Sequence, residues 1–210
     1  MGNLISVRVK ATGSGKESFK DVESGILFET VKGGFSWPGV HPGFICIAGR
    51  ESEKEKLRVL HESYEDSLDE LAKHLSTLEE LFFVESWVVD HEGKNVGFRD
   101  LLSEIGVALD TSFALMNPRL SSNFHLGIQL LRRCFKRNVL ILPRGGILET
   151  RINILNETSP GEEGLAEKFH EVATLANVVY EFDSIRKEAE KPKDPWDDDD
   201  DHKKGGFMGA

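Results

Sequence analysis

Asp90 is the residue of this sequence best placed for metal chemistry, because it follows an apolar run and precedes the turn Gly93-Lys94-Asn95. The run, residues 84–89, has the composition of a buried strand. Ligands gather at the carboxyl ends of strands in α/β sheets, and hard divalent cations such as Mg²⁺ take carboxylate oxygens. A metal at this position would assist phosphodiester cleavage. Asp90 is therefore a candidate metal ligand and catalytic residue; the alternative is an aspartate that ends the strand or caps the next helix.

His170 and Glu171 are the other candidate catalytic residues. They lie in a segment whose apolar residues recur at helical spacing and predict one long helix after residue 161: Leu165, Phe169, Val172, Ala176 and Val179. A histidine beside such a stripe is either a polar residue at the margin of the core or a side chain that faces the crevice. As a ligand, it suits zinc or manganese better than magnesium.

A cluster of cations stands out in an acidic chain. The formal net charge is −10, with 36 acidic and 26 basic residues, which is unfavourable for binding nucleic acid through phosphate neutralisation. The predicted helix at 121–137 nevertheless ends in four cations, and Arg144 and Arg151 follow; the candidates for DNA binding are Arg132, Arg133, Lys136, Arg137 and Arg144. They either contact the phosphates of a duplex or form a solvated helix face that complements the helix dipole.

The elements that must position these residues alternate between strand and helix. Strands are predicted near 5–9 and at 43–49, 57–64, 82–89, 111–116 and 139–142, with 147–155 extending or pairing with the last. Helices are predicted from the capping box Ser67–Glu70 onward, near 98–105, at 121–137 and after 161. Alternating strands and helices predict a mostly parallel sheet covered on both faces, and the early hairpin makes it mixed. The predicted class is an α/β, three-layer fold with a mixed central sheet.

The segment 34–42, Gly-Phe-Ser-Trp-Pro-Gly-Val-His-Pro, leads directly into the apolar run 43–49. It resembles the opening of the nuclease domain in the large terminase subunit of tailed phages. In that family an acidic residue with Trp-Gly precedes His-Pro or Asn-Pro and a buried strand. The resemblance implies a ribonuclease H-like fold and either a DNA endonuclease dependent on Mg²⁺ or Mn²⁺ or its degenerate DNA-binding derivative. The implied partners are double-stranded DNA, a packaging ATPase and a portal.

The family pattern has three acidic positions, of which Asp90 matches the second. Ser36 and Ala173 stand at the first and third, and His170 matches the family histidine. Glu171 lies about 200° around the helix from Ala173, so it does not occupy the same face. One aspartate and a histidine are too few for a two-metal site, which needs several carboxylates. Three hypotheses remain: an endonuclease with an altered site, a noncatalytic ribonuclease H-like module that grips DNA or a protein partner, and an unrelated α/β enzyme.

The predicted organisation is an N-terminal edge strand and flexible segment at 1–25, the nuclease-like domain at 26–187 and a disordered acidic tail at 188–210. The tail holds five consecutive aspartates at 197–201 and is either an interaction segment or a solubilising end. Cys46 and Cys134 lie in apolar patterns, which predicts reduced core cysteines. No apolar run approaches the length of a membrane span or a secretory signal. We therefore expect a cytoplasmic protein, in the host cell if viral, with no membrane partner.

Overall fold

The computed structural model describes residues 6–10, 17–21, 24–54, 56–89, 112–115, 123–159, 162–183 and 185. The strands are β1 (Ser6–Lys10), β2 (Glu17–Asp21), β3 (Leu27–Phe35), β4 (Gly43–Glu51), β5 (Leu57–Glu65), β6 (Ser86–Val89), β7 (Ser112–Leu115) and β8 (Leu140–Ile141). The helices are α1 (Leu68–Phe82), α2 (Phe124–Lys136), α3 (Ile147–Glu157), α4 (Leu165–Lys168) and α5 (His170–Tyr180). Asp90, the helix predicted near 98–105 and the tail at 188–210 lie outside the described residues.

The centre of the sheet has the strand order β5-β4-β3-β6-β7. β3, β4 and β5 form an antiparallel meander, whereas β6 is parallel to β3 and β7 is parallel to β6. This is the strand order of a ribonuclease H-like fold, so the predicted fold class is confirmed. β1 and β2 extend the sheet beside the start of β3, and β1, where a strand near 5–9 is predicted, lies at the edge. β8 pairs in parallel with the start of β5.

Helices cover both faces of the sheet and enclose two hydrophobic cores. On one face, α1 packs over Ile45, Ile47 and Trp87. On the other face, α2, α3 and α5 pack over Phe44, Cys46 and neighbouring strand residues. β4 is buried on both faces because it lies inside the meander between these helix layers. Cys46 and Cys134 are free and buried, as predicted, and burial raises the pKa of the Cys134 thiol to about 11.

The prediction of a strand over 82–89 is wrong in its first half. α1 continues to Phe82, because Leu71, Leu75, Leu78 and Phe82 recur at helical spacing and are all buried against the sheet. Phe83 then ends the helix in the left-handed conformation, with φ of 52°. Only residues 86–89 pair as a strand. The start of α1 is as predicted: Ser67 is the N-cap and its hydroxyl accepts a hydrogen bond from the Glu70 amide at 3.2 Å.

Residues 147–155 are helical, so the prediction of a strand there is wrong. Gly146 precedes α3, and the Glu62 carboxylate of β5 accepts hydrogen bonds from the amides of Ile147 at 2.6 Å and Leu148 at 3.0 Å. These bonds satisfy two of the free donors at the helix start. A Cβ at Gly146 would lie 1.9 Å from Glu62 Oε1, so a larger residue there would displace the carboxylate from the helix start. A residue distant in sequence therefore caps this helix, which local periodicity could not reveal.

The last predicted helix is broken in two at Phe169, although all five residues of its apolar stripe are buried. Arg151 Nη2 donates to the Lys168 carbonyl. The Val172 amide, which would bond that carbonyl in a continuous helix, instead donates to the Phe169 carbonyl at 3.0 Å. An arginine of α3 thus interrupts the helix beside the segment that carries His170 and Glu171. None of the helices in the described ranges is long and apolar enough to cross a membrane.

We expect Glu62→Ala to lower the free energy of unfolding by about 1–2 kcal/mol, because it removes the carboxylate that caps α3 and complements its dipole. For a chain of this size that corresponds to a melting temperature lower by roughly 2–8 °C. Thermal denaturation followed by circular dichroism measures the effect. Glu80→Ala, on the exposed side of α1, is the matched control; an equal loss in both variants would contradict the capping role.

Candidate functional site

A cleft of about 510 Å³ opens where β3 ends and the chain turns back into β4. Its walls come from the turn after β3, from β5, from α3, and from α4 and α5: His41, Pro42, Tyr64, Arg151, Gly164, Glu167, Lys168, His170 and Glu171. The cleft therefore lies at the carboxyl end of the central strand β3. In α/β folds this end of the sheet is where ligands bind.

The packing of α5 on β3 brings the start of that helix to the cleft. Lys32 Nζ donates to the Glu181 carbonyl at 2.9 Å, just beyond the end of α5. A Cβ on Gly34 would lie 2.4 Å from Val178 Cγ2, so only glycine permits this close approach of helix and strand. Since β3 and α5 run in opposite directions, His170 and Glu171 lie near the end of β3. The structure thus brings these two predicted residues to the same edge as Ser36.

Glu171 is a buried carboxylate with two partners. Its side chain is 2% exposed. Tyr64 donates its hydroxyl hydrogen to Glu171 Oε1 at 2.6 Å, and Arg151 Nε forms an ion pair with the same oxygen at 3.0 Å. Burial, and then the hydrogen bond to Glu171, raise the pKa of Tyr64, which remains a neutral donor. Oε2 has no hydrogen-bond partner among the described residues and lies 3.8 Å from His170 Nδ1.

Arg151 is held in place by more than its ion pair. Its guanidinium lies 5.0 Å from the centroid of the Phe169 ring, a cation–π contact, and it donates to the Lys168 carbonyl. Lys168 itself is about half exposed and pairs with Glu162 at 2.7 Å. The cleft therefore contains one cation that is fixed to the protein and one that solvent reaches.

His41 and His170 form a stacked pair at the cleft. Their ring centroids lie 5.8 Å apart and their planes differ by 12°. His170 Nδ1 is 3.3 Å from the Glu167 carbonyl, which favours the tautomer with hydrogen on Nδ1. His170 Nε2 is buried, and no hydrogen-bond partner for it lies in the described part of the chain. His41 is exposed, so it forms the outer member of the pair.

Ser36 uses its hydroxyl to close the turn between β3 and β4. Ser36 Oγ accepts a hydrogen bond from the Phe44 amide at 3.0 Å, and the Ser36 amide donates to the Phe44 carbonyl at 2.9 Å. Val89, the last described residue of β6, pairs with Phe35 beside this turn. Asp90 follows Val89 in sequence but lies outside the described residues, so its role as a metal ligand stays a prediction.

The described residues do not fit a two-metal centre. Across the described ranges, no group of three or more histidine, cysteine, aspartate or glutamate side chains is arranged to hold a metal ion. Glu171, the buried carboxylate of the cleft, has one oxygen shared by Arg151 and Tyr64. A cation already paired with that carboxylate competes with any metal for it. The Mg²⁺ or Mn²⁺ implied by the sequence resemblance therefore finds no set of ligands in this part of the chain.

The predicted DNA-binding cations lie away from the cleft. Arg133, Lys136 and Arg137 are exposed at the end of α2. The chain then passes Val139, whose carbonyl accepts from the Leu57 amide at the start of β5. Tyr64, which lines the cleft, lies at the other end of β5, about 23 Å from Leu57 at the usual rise of a strand. Arg132 is half-buried on the same helix, and Arg144 is exposed in the turn before α3.

Sequence reasoning missed Tyr64 and Lys168 as residues of the cleft and grouped Arg151 with the basic cluster. Tyr64 and Glu171 are 107 positions apart, and no local pattern connects them. His41 did carry a signal, since it belongs to the segment 34–42 that resembles a known nuclease opening.

Comparisons with known proteins match the sequence to no family model and to no curated protein. Among solved structures, the large terminase from a thermophilic bacteriophage is similar, with 12% identity and a TM-score of 0.45. That match covers 60% of this chain and 31% of the terminase chain. The Holliday junction resolvase of fowlpox virus matches with 10% identity and a TM-score of 0.31, over 71% of this chain and 92% of the resolvase. The strand order and hydrogen-bond register, rather than these similarities, define the ribonuclease H-like fold of this chain.

Proposed function

We propose that this chain is a DNA-binding domain of the ribonuclease H-like nuclease type, a derivative of a terminase-like nuclease whose own site does not support efficient two-metal cleavage. The proposal combines the strand order of the fold with the sequence resemblance of the segment 34–42. The main partner of the protein would be double-stranded DNA. A packaging ATPase and a portal are further partners that the resemblance implies.

The observation that carries the proposal is the use of Ser36. In the resembled family an acidic residue stands at this position, at the end of the central strand. Here a hydroxyl accepts the Phe44 amide hydrogen at 3.0 Å and so stabilises the turn into β4. A neutral hydroxyl that already accepts a backbone hydrogen bond offers a divalent cation no charge and at most one remaining lone pair.

Glu171 gives independent support. Glu171 is the carboxylate that α5 brings to this edge. It forms an ion pair with Arg151 at 3.0 Å inside the protein. Ala173, at the third acidic position of the family pattern, supplies no ligand. A cleavage site with two metals needs several carboxylates to offset their charge. The residues at this edge favour binding over metal-dependent cleavage.

Duplex binding would use the exposed cations of α2 and the turn before α3. Arg133, Lys136, Arg137 and Arg144 are exposed on the α2–α3 side of the molecule. Each phosphate contact releases counterions. The logarithm of the binding constant for duplex DNA therefore falls with the logarithm of the salt concentration, with a slope of about −0.9 per contact. Because the chain carries a net charge of −10, we expect modest affinity at physiological salt.

The test measures binding and cleavage on the same protein. Fluorescence anisotropy with a labelled duplex over a salt series should show binding, and Lys136→Gln should reduce the salt slope by about 0.9. Lys73→Gln, at a lysine that is also exposed but lies on α1 on the other face of the sheet, should leave the slope unchanged. Plasmid incubated with Mg²⁺ or Mn²⁺ should remain supercoiled.

Two results would overturn the proposal. Nicking that a chelator abolishes and that Asp90→Asn removes would show an active metal-dependent endonuclease. Absence of duplex binding even at low salt would leave the noncatalytic protein-interaction module as the function of this fold.

A further inference from the structure

We propose that the cleft binds one unpaired nucleotide of a DNA strand, with the base stacked on the exposed ring of His41. The inference rests on the proposed DNA-binding function and specifies the form of DNA that this cleft takes. The protein would then contact DNA at two places: the cations of α2 bind a duplex, and the cleft binds a single extruded or terminal nucleotide.

The size of the cleft fits a single nucleotide. Its volume of about 510 Å³ lies within the range of roughly 300–1,000 Å³ that small-molecule sites occupy. A base inside a duplex is covered by its neighbours and reaches such a pocket only after leaving the stack. A nucleotide that is already unpaired avoids most of the energetic cost of unpairing and unstacking its base.

The histidine pair offers a stacking surface that is already organised. The rings of His41 and His170 lie almost parallel, 5.8 Å apart, and His170 is fixed by the contact of its Nδ1 with the Glu167 carbonyl. His41 is exposed, and the neighbouring Val40 at the tip of the turn is 97% exposed. A third ring can therefore continue the stack on the outer side of His41. Stacking of this kind tolerates any base, because every base has a ring face.

Lys168 is the cation that suits the phosphate of this nucleotide. Its side chain is 48% exposed, and its ion pair with Glu162 is also exposed. Exposed pairs of this kind contribute little stability, so a phosphate can replace the carboxylate. With about one phosphate contact, single-strand binding at the cleft should depend only weakly on salt, unlike duplex binding by the α2 cations.

The experiment compares single-stranded and duplex forms of one oligonucleotide containing 2-aminopurine, whose fluorescence falls when it stacks. We expect the full chain to quench the single-stranded form and His41→Ala to weaken this binding about tenfold. His125→Ala, an exposed histidine on α2, should leave it unchanged. Duplex affinity should be equal for all three proteins, and the melting temperature of each variant verifies its fold.

Equal effects of the two histidine variants, or equal loss of duplex binding in His41→Ala, would overturn the inference. Its failure is distinguishable from failure of the proposed function. If no DNA strand binds, titration with deoxyadenosine monophosphate, followed by the histidine ring resonances in NMR, tests the cleft alone. Shifts at His41 with none at His125 would support the cleft site, and shifts at neither would reject it.

Discussion

Glu171→Ala is expected to lower the free energy of unfolding by about 3 kcal/mol, because it leaves Arg151 without its counter-ion in a largely buried position. Glu171 is 2% exposed and Arg151 is 26% exposed, and the variant also removes the acceptor of the Tyr64 hydroxyl. At roughly 2–4 °C per kcal/mol for a chain of this size, the melting temperature should fall by about 6–12 °C.

A double-mutant cycle separates the ion pair from other effects of truncation. The variant Glu171→Ala with Arg151→Ala should be destabilised by less than the sum of the two single variants, with a coupling of about 1–3 kcal/mol. The pair Glu162 and Lys168, with 41% and 48% exposed side chains, is the control and should couple by less than about 1 kcal/mol. If Glu171→Ala costs no more than Glu162→Ala, then the buried pair does not stabilise the cleft.

The double variant Ser36→Asp with Ala173→Asp is expected to gain divalent-metal binding relative to the unmodified chain. An aspartate at 36 can accept the Phe44 amide hydrogen with one oxygen, as Ser36 Oγ does now, and keep the other oxygen free for a metal. Together with Asp90 these residues would restore the three acidic positions of the resembled nuclease family. At a metal concentration 100 times the dissociation constant, binding should stabilise the variant by about 2.7 kcal/mol.

The measurement is the shift of melting temperature with Mn²⁺ or Mg²⁺, followed by plasmid nicking. The matched control carries Ser36→Asn and Ala173→Asn, which have nearly the same shape without the charges, and it should show no shift. Adding Asp90→Asn to the aspartate variant should remove the shift. If the aspartate variant folds but neither binds metal nor nicks DNA, the three positions do not converge and the correspondence with the nuclease family is wrong.

The sequence alone predicted the fold class and four of the five central strands, β4, β5, β6 and β7, but it missed β3 (Leu27–Phe35). The strands β4 and β5 and the cap of α1 follow from local signals: apolar runs between turns, and a serine three residues before a glutamate. Such patterns report on a few neighbouring residues, and they succeed where those residues decide the local structure. The segment 34–42 likewise marked the edge of the sheet where the cleft lies.

Only the tertiary structure decided the helix at 147–157 and the break at Phe169. Glu62, on β5, caps the first of these, and Arg151, on α3, takes the carbonyl that would have kept the second continuous. In both cases a charged side chain far away in sequence supplies or occupies a backbone hydrogen bond. Local periodicity has no access to such partners.

The sequence placed His170 and Glu171 on a helix and showed that Ser36 and Ala173 lack carboxylates. It could not show that Tyr64 and Arg151 share an oxygen of Glu171, or that His41 stacks on His170. Those contacts exist because α5 packs across β3 and β4 and brings residues from four elements and a turn to one edge. The residue types were set by the sequence, but their grouping into a cleft was set by the packing.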